Sequence, residues 1–212
     1  MAAPLRSRHP IFARCFATLA PLAETAGAKG VRQELLAGLE GRVLEIGGGT
    51  GANLRHYPPA VEEVTVVEPE GYLRRGCQRA ARGARARVEV LAAWAERLPL
   101  PDSSFDAAVS SLVLCSVTDQ GLALAELMRV LRPGGELRFY EHVRSSGAVG
   151  QLQDTLDLPW GLIAGGCHLN RDTVAAITAA GFVIAEMRNV PPRLVGIPLP
   201  GPRMMLGRAS RP

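Results

Sequence analysis

Short apolar runs alternate along the chain with longer segments of helical periodicity. The runs are rich in Val, Leu, Ile and Ala and predict buried strands; they cover residues 42–46, 63–68, 87–92, 105–111 and 136–142. Apolar positions spaced by three and four residues predict helices between them, a short one at 51–56 and longer ones at 70–82 and 118–131. Repeated strand–helix units favour a parallel sheet with right-handed crossovers.

The last third of the chain departs from this alternation. The segment Arg132-Pro133-Gly134-Gly135 is expected to end the preceding helix as a turn, because proline and glycine do not continue a helix. Residues 151–167 look helical, and we expect Pro159 and the pair Gly165-Gly166 to break that helix. After it, the pattern predicts a helix at 171–180, a strand at 182–190 and, beyond a proline-rich segment, a last strand returning antiparallel at 203–209.

The start of the chain predicts a helix of a different kind. Residues 11–23 place apolar side chains at helical spacing, with Arg14 inside the run. We expect an amphipathic helix lying on the domain; a targeting signal or a membrane-surface helix is the alternative, because arginines precede the run. No stretch approaches the roughly 20 apolar residues of a membrane span.

Together these elements predict an α/β fold. We expect a Rossmann-like, doubly wound, mostly parallel seven-stranded sheet with an antiparallel last strand. We assign residues 41–212 to this domain and residues 1–40 to an N-terminal helical cap over the ligand site, all within one structural domain. The length of 212 residues is enough for one domain with a sizeable core.

Composition bears on two further properties, nucleic-acid binding and the state of the cysteines. The formal net charge is +4, and Arg74 to Arg87 include six arginines with no interleaved aromatic residue, so a solvated helix face is favoured over a nucleic-acid footprint. The cysteines form no C-x-x-C pair, which predicts reduced thiols in a cytoplasmic protein, with neither a zinc site nor a disulfide framework; they are Cys15, Cys77, Cys115 and Cys167.

The most informative stretch is the glycine-rich turn after the first strand. Such turns present backbone N–H groups to a nucleotide-like ligand at the carboxyl edge of the sheet. Gly47-x-Gly49-x-x-Ala52 formally satisfies the dinucleotide pattern, and Glu45-x-Gly47-x-Gly49-x-Gly51 satisfies that of S-adenosylmethionine-dependent methyltransferases. Both predict an acid on the ribose at the end of the second strand, where Glu68 stands. The carboxylate of Glu45 disfavours a pyrophosphate and suits a cationic amino-acid group.

Further blocks extend the second resemblance. Residues 93–99, 104–106 and 130–135 resemble class I methyltransferases in type and order, over about residues 41–144. A narrower resemblance reaches nearly to the C-terminus: residues 49–59, 112–117, 141–143 and 166–173 are similar to the methyltransferase-like group that includes thiol S-methyltransferases. The chain lacks the N-terminal anchor of the membrane-bound members, so it looks like a soluble, bacterial-type relative.

The resemblance implies S-adenosyl-L-methionine as cofactor and assigns residues to it. Ser110 and Ser111 would face its methionine end, and Gly48 stands where relatives often have cysteine or alanine. Trp94 stands where many members have an acid, and it either stacks on the adenine or packs in the core. The implied cofactor-binding set is Glu45, Gly47, Gly49, Gly51, Asn53, Glu68, Pro69, Trp94, Ala95 and Ser111.

The acceptor side is predicted from chemistry. A thiol has a pKa of about 8.5 and needs little help from a base, whereas a phenol or alcohol needs a base or a metal. Serines end the fourth strand and Asp119 stands alone, so we expect no metal site. His142 is the candidate base or acceptor-orienting residue, with a structural histidine as the alternative. We expect Tyr57 and Tyr140 to be packing residues.

Three further residues are substrate-side candidates. His168 follows a glycine pair and could line the acceptor pocket or merely begin the following helix. Phe12 and Trp160, with other apolar residues of their segments, could build an apolar pocket or be ordinary core.

These observations predict a methyltransferase acting on a small, largely apolar acceptor. S-methylation of a thiol is the leading chemistry, with O- or C-methylation of a phenol or quinone-like ring second. The alternatives are a non-catalytic S-adenosylmethionine-binding module, an NAD-binding oxidoreductase and a nucleic-acid methyltransferase. The sequence does not predict the oligomeric state.

Overall fold

A computed structural model describes residues 9–23, 28–190, 193–194, 197–198 and 203–212. Our expectations for the rest of the first 40 residues and of the proline-rich segment lie outside the described residues. Two helices, α1 (Pro10–Ala23) and α2 (Lys29–Leu36), precede the sheet. No helix of the described residues is both long and apolar enough to cross a membrane.

Seven strands form one sheet: β1 (Gly41–Ile46), β2 (Val61–Val67), β3 (Arg87–Leu91), β4 (Phe105–Ser111), β5 (Leu131–Val143), β6 (Val183–Asn189) and β9 (Arg203–Ser210). A separate two-residue pair is β7 (Arg193–Leu194) and β8 (Ile197–Pro198). The order in the sheet is β3-β2-β1-β4-β5-β9-β6. The first five strands of this order pair in parallel, while β9 lies between β5 and β6 and is antiparallel to both. The predicted seven-stranded, mostly parallel α/β sheet is therefore confirmed.

The remaining helices cover the sheet and enclose two apolar clusters. Because successive strand residues point to opposite faces, Leu44 and Ile46 of β1 join one cluster and Val43 joins the other. Glu45 shares the face of Val43 and is almost completely buried. The helices are α3 (Gly71–Ala81), α4 (Gln120–Val130), α5 (Gly147–Ile163) and α6 (Thr173–Ala179).

The strands β1 and β4 are neighbours in the sheet, and the connections that follow them lead toward opposite edges of the sheet. The order reverses there: β2 and β3 extend to one side of β1, whereas β4 and β5 extend to the other. In open α/β sheets ligands bind outside the carboxyl ends of the strands at such a switch point. The fold thus places the glycine turn after β1 at the expected position.

Three local predictions were wrong. The expected helix at 51–56 is a single 3-10 turn, Leu54–His56. The expected turn at Arg132–Gly135 belongs to β5, where Gly134 N donates to Arg211 O (2.9 Å) and Arg211 N to Gly135 O (2.8 Å). Pro159 lies inside α5 without ending it. Because Pro159 and Thr155 are exposed, the carbonyl that loses its N–H partner can bond water instead.

Candidate active site

A cavity of about 870 Å³ opens at the carboxyl ends of β1, β2 and β4. This volume lies in the range of small-molecule sites and leaves room for more than one ligand group. The two N-terminal helices, the glycine turn and the segment after β4 form its walls. Ten of the predicted site residues line it: Phe12, Glu45, Gly47, Gly49, Asn53, Glu68, Pro69, Trp94, Ala95 and Ser111.

Other predicted residues lie outside the cavity walls. Gly51 packs beneath the turn, where an added Cβ would come within 2.8 Å of Ala80 Cβ. His168 lies 2.7 Å (Nδ1) from Asp157 Oδ2, and His142 lies 3.3 Å (Nδ1) from Cys167 Sγ. Neither histidine is among the described residues that line the cavity, and neither is the half-exposed Trp160. A third histidine, His9, does line it, at the entrance to α1, a residue without any sequence signal.

The glycine turn is shaped by close packing. Gly47 and Gly49 have φ of +59° and +55°, a region that favours glycine. An added Cβ at Gly47 would lie 2.4 Å from a Val113 methyl. The N–H groups of the turn are used inside the protein: Gly47 donates to Val67 O and Gly51 to Gly48 O, each at 2.8 Å. For the N–H groups of Gly47 and Gly51, the expectation that they face a ligand was wrong, which weakens the case for pyrophosphate.

Glu45 is the centre of a buried polar network behind the turn. Its carboxylate accepts bonds from Asn53 Nδ2 and the Tyr57 hydroxyl, each at 2.8 Å. Arg32 of α2 donates to Asn53 Oδ1 (2.7 Å) and so fixes the orientation of that amide. Burial raises the pKa of Glu45 to about 7, against the lowering effect of both hydrogen bonds. Tyr57 is buried as predicted, but its bond to Glu45 was missed.

Glu68 connects the end of β2 to the glycine turn. It accepts from Gly49 N at 2.8 Å (Oε2) and from Glu70 N at 2.9 Å (Oε1). Its carboxyl is buried, and burial raises its pKa above the usual value. Each carboxylate oxygen retains a second lone pair, so Glu68 can still accept hydrogen bonds from a vicinal diol in the cavity. Glu45 and Glu68 together make this end of the cavity acidic, which suits a cationic ligand.

The segment between β3 and β4 provides another wall. Ala95 is buried at the cavity, and Trp94 forms an isolated bridge with Arg97. Glu96 Oε1 accepts from Thr118 N at 2.7 Å, which connects this wall to the segment after β4. Both Trp94 and Ala95 line the cavity.

The helix α1 supplies two aromatic rings to the opposite wall. Phe12 and Phe16 stack with ring centroids 5.7 Å apart. An added Cβ at Gly49 would lie 3.4 Å from the Phe16 ring, and one at Gly165 would lie 2.5 Å from the Phe12 ring. At Gly165 only glycine therefore leaves room for the Phe12 ring, whereas a Cβ at Gly49 would make ordinary van der Waals contact with the Phe16 ring. The N-terminal helix of the predicted cap is present and borders the cavity.

Glu141 supports a wall of the cavity without lining it, and the sequence analysis did not single it out. It is completely buried beside the segment after β4, and burial raises its pKa. Its Oε1 accepts from Ser110 Oγ (2.6 Å) and Val113 N (2.9 Å). These bonds hold a segment in which Leu112 has φ of +61°, a strained value for a bulky residue. The only signal was an acid at the end of a buried strand.

Two cysteines that are distant in sequence meet next to this segment. Cys115 Sγ and Cys167 Sγ are 3.5 Å apart, and His142 Nδ1 contacts Cys167 Sγ. Contact with the Cys115 thiol and the His142 ring lowers the pKa of Cys167 to about 4. Sequence spacing gave no indication of this cluster, because its members lie on three separate segments.

Comparison with known proteins supplies the family. Residues 44–139 match the methyltransferase domain family. The chain is 39% identical over 174 residues to thiol S-methyltransferase TMT1B of Rattus norvegicus, covering 80% of this chain and 70% of that protein. It is 33% identical over 130 residues to the ubiquinone/menaquinone biosynthesis C-methyltransferase UbiE of Ectopseudomonas mendocina. That alignment covers 58% of this chain and 51% of that protein.

A solved structure agrees at the level of the fold. A methyltransferase of Thermotoga maritima, described as S-adenosylmethionine-dependent and as a possible histamine N-methyltransferase, superposes with a TM-score of 0.71. The alignment covers 95% of this chain and 97% of that one at 23% identity. At this identity the similarity establishes the fold alone.

Proposed function

We propose that this chain, which belongs to the S-adenosylmethionine-dependent methyltransferases, methylates the sulfur of a small, largely apolar thiol. The chain is a methyltransferase and its cofactor is S-adenosylmethionine; the acceptor is the proposal. The observation that carries it is the 39% identity to a thiol S-methyltransferase over 80% of the chain.

The residues of the cavity fit this cofactor. S-adenosylmethionine supplies a methyl group activated by a positively charged sulfur. Glu68 would accept the ribose hydroxyls, and Glu45, positioned by Asn53, would attract the cationic amino-acid part. We propose Trp94 and Ala95 for the adenine and Ser111 for the methionine end. The buried acids and the internally bonded turn make a pyrophosphate ligand, and hence an NAD-binding oxidoreductase, the weaker assignment.

The acceptor end favours a substrate that needs orientation more than activation. Phe12 and Phe16 give it an apolar wall, joined by Leu112, Val113 and Val117. Such a wall excludes water and aligns acceptor sulfur, methyl and donor sulfur. A thiol with a pKa of about 8.5 is partly ionised at neutral pH, so it can react without a strong base.

A panel of acceptors tests the proposal. At pH 7.5 we expect apolar thiols to be methylated with kcat/KM at least about 30-fold above that of phenols of the same shape, since 1.5 pKa units separate the two groups. The rate should rise toward the pKa of the acceptor thiol. Product formation is followed by mass spectrometry of the methylated acceptor.

The same assay decides between the remaining alternatives. Preferred methylation of a quinol would favour ring C-methylation, the second candidate, which rests on the 33% identity to UbiE. Cofactor binding without turnover of any acceptor would favour the non-catalytic module. The sequence analysis gave His142 as a base or acceptor-orienting residue. Because His142 is not among the described residues that line the cavity, we propose instead that it positions the cavity wall through Cys167. Unchanged kcat and KM in His142→Ala would remove that role.

The aromatic wall can be tested separately. Phe12→Ala removes a ring that lines the cavity, and we expect KM for an apolar thiol to rise about tenfold, the equivalent of about 1.4 kcal/mol of apolar contact. The affinity for S-adenosylmethionine should change little. Ile11→Ala is the matched control, because the Ile11 side chain is 76% exposed on the same helix. Equal KM values for both variants would contradict an acceptor-facing Phe12.

The cysteine pattern bears on the compartment. The four cysteines are far apart in sequence and form no C-x-x-C pair, and a disulfide framework is not typical of a chain of 212 residues. We therefore propose reduced thiols and a cytoplasmic protein.

A further inference from the structure

We propose that Cys115, His142 and Cys167 form a binding site for one thiophilic divalent metal ion of the zinc class. The three side chains offer Sγ, Nδ1 and Sγ, and these atoms all lie within 4.8 Å of one another. Two cysteines and one histidine are a donor set that zinc prefers. The site lies outside the cofactor cavity and is independent of the identity of the methyl acceptor.

The spacing of the donor atoms agrees with tetrahedral coordination. Zn–S bonds of about 2.3 Å and Zn–N bonds of about 2.05 Å imply an S–S distance of about 3.8 Å and an S–N distance of about 3.6 Å. The observed distances are 3.5 Å between the sulfurs and 3.3 Å between Cys167 Sγ and His142 Nδ1. An ion would spread these two pairs by about 0.3 Å each. The remaining pair would have to close by at most about 1.2 Å.

The three ligands are held by the backbone around them. Cys115 follows β4, His142 is near the end of β5, and Cys167 follows α5. His168 N donates to Cys115 O at 2.8 Å, which joins the first segment to the third. Thr173 Oγ1 donates to His142 O at 3.0 Å, which joins the second to α6. The donor atoms therefore meet on a preorganised frame.

The charges and positions near the cluster are compatible with an ion. Two thiolates and a neutral imidazole would balance a divalent ion, so the centre would carry no net charge beside the Arg171 guanidinium, which donates to Leu114 O and Val117 O. Three protein ligands leave a fourth position. Ser116 Oγ lies 3.5 Å from Cys115 Sγ, and Ser116 also lines the cavity.

The ion would fasten together the segments that build the acceptor end of the cavity. Ser116 and Gly165 line the cavity and are near neighbours in sequence of Cys115 and Cys167. Such a site departs from the expectation of no metal, which rested on sequence spacing and on acidic ligands alone.

Metal analysis of the full chain tests the proposal. The protein is produced in zinc-supplemented medium and purified under thiol reductant without chelator. We expect about one zinc per chain by elemental analysis. After exchange with Co²⁺, we expect thiolate-to-cobalt charge-transfer absorption together with the d–d bands of a tetrahedral centre.

Variants identify the ligands. In Cys167→Ser, chelator competition should show metal affinity more than about 100-fold weaker, because loss of an outer-shell partner already costs about 10–100-fold. Cys15→Ser is the matched control, since Cys15 is exposed and is not part of the cluster, and this variant should bind zinc as the wild type does. Calorimetry with S-adenosylhomocysteine checks that each variant is folded.

Three outcomes would overturn the site. One is reduced wild type, produced in zinc-supplemented medium, that holds less than about 0.1 ion per chain. The second is equal affinity in folded Cys167→Ser. The third is a wild-type cobalt form without thiolate charge transfer, a result that requires no variant to fold.

Discussion

Replacing Glu68 with alanine should weaken S-adenosylmethionine binding at least about 100-fold. The carboxylate would accept two hydrogen bonds from the ribose, and each bond to a charged group contributes about 1.5–3 kcal/mol. A loss of about 3 kcal/mol corresponds to about two powers of ten in Kd. Calorimetric titration with S-adenosylmethionine and with S-adenosylhomocysteine measures the loss, which should be similar for both because they share the ribose.

The substitution also removes support for the glycine turn, so the design must separate the two effects. Glu68 accepts from Gly49 N and Glu70 N, and alanine leaves both donors without that partner. Glu68→Gln keeps an acceptor for the turn but loses the charge, and we expect it to bind more weakly than wild type and more tightly than Glu68→Ala. Glu89→Ala, an exposed acid on β3, is the control. Wild-type affinity in folded Glu68→Ala would refute the ribose role.

Replacing Glu45 with glutamine should stabilise the protein at pH 8 while weakening cofactor binding. The pKa of Glu45 is about 7 in the folded protein and about 4.5 for the ordinary side chain, with burial as the main cause. Between these values the folded state binds more protons than the unfolded state, so the free energy of unfolding falls as pH rises. At pH 8 this penalty amounts to as much as about 3 kcal/mol.

Glutamine does not ionise and so removes the penalty, although it makes weaker hydrogen bonds with Tyr57 and Asn53. We expect a net gain of about 1–2 kcal/mol in unfolding free energy at pH 8 and none below pH 4.5. Chemical denaturation at several pH values measures this change. Glu62 is an exposed acid on β2, so Glu62→Gln should show no such gain in unfolding free energy over wild type at any of these pH values.

Cofactor affinity should move in the opposite direction. The ionised carboxylate attracts the cationic amino-acid part of the cofactor, so wild-type affinity should rise between pH 5.5 and pH 7 as Glu45 deprotonates. The Glu45→Gln variant should be nearly independent of pH in this window and about 10- to 100-fold weaker at pH 7. A variant that is less stable at pH 8 yet binds as the wild type would show that Glu45 has a structural role alone.

The sheet could be predicted because its signals are local. Apolar runs of strand length and helical spacing between them are read from neighbouring residues, and their alternation implies the parallel sheet. The errors occurred where tertiary contacts overrode a local preference. Residues 131–135 extend β5 because Gly134 and Gly135 bond to Arg211, which is more than 70 positions away. Exposure allowed Pro159 to remain within α5.

The glycine turn and its two acids could also be predicted, since Glu45 and Gly47 to Gly51 are contiguous and Glu68 ends the next strand. The bonds that define their chemistry could not. Arg32 reaches Asn53 across 21 positions, and Ser110 reaches Glu141 across 31. Such pairs depend on how α2 and β5 pack against the turn and the segment after β4, and no local pattern encodes that packing.

The sequence by itself determined the α/β class and the positions of the glycine turn and of the two acids next to it, because each is set by residues close together in the chain. Tertiary structure decided that the turn's N–H groups bond inward and that Phe12 and Phe16 border the cavity. It also brought Cys115, His142 and Cys167 together. These contacts arise from the packing free energy of many residues that are distant in sequence. No single sequence spacing therefore predicts them.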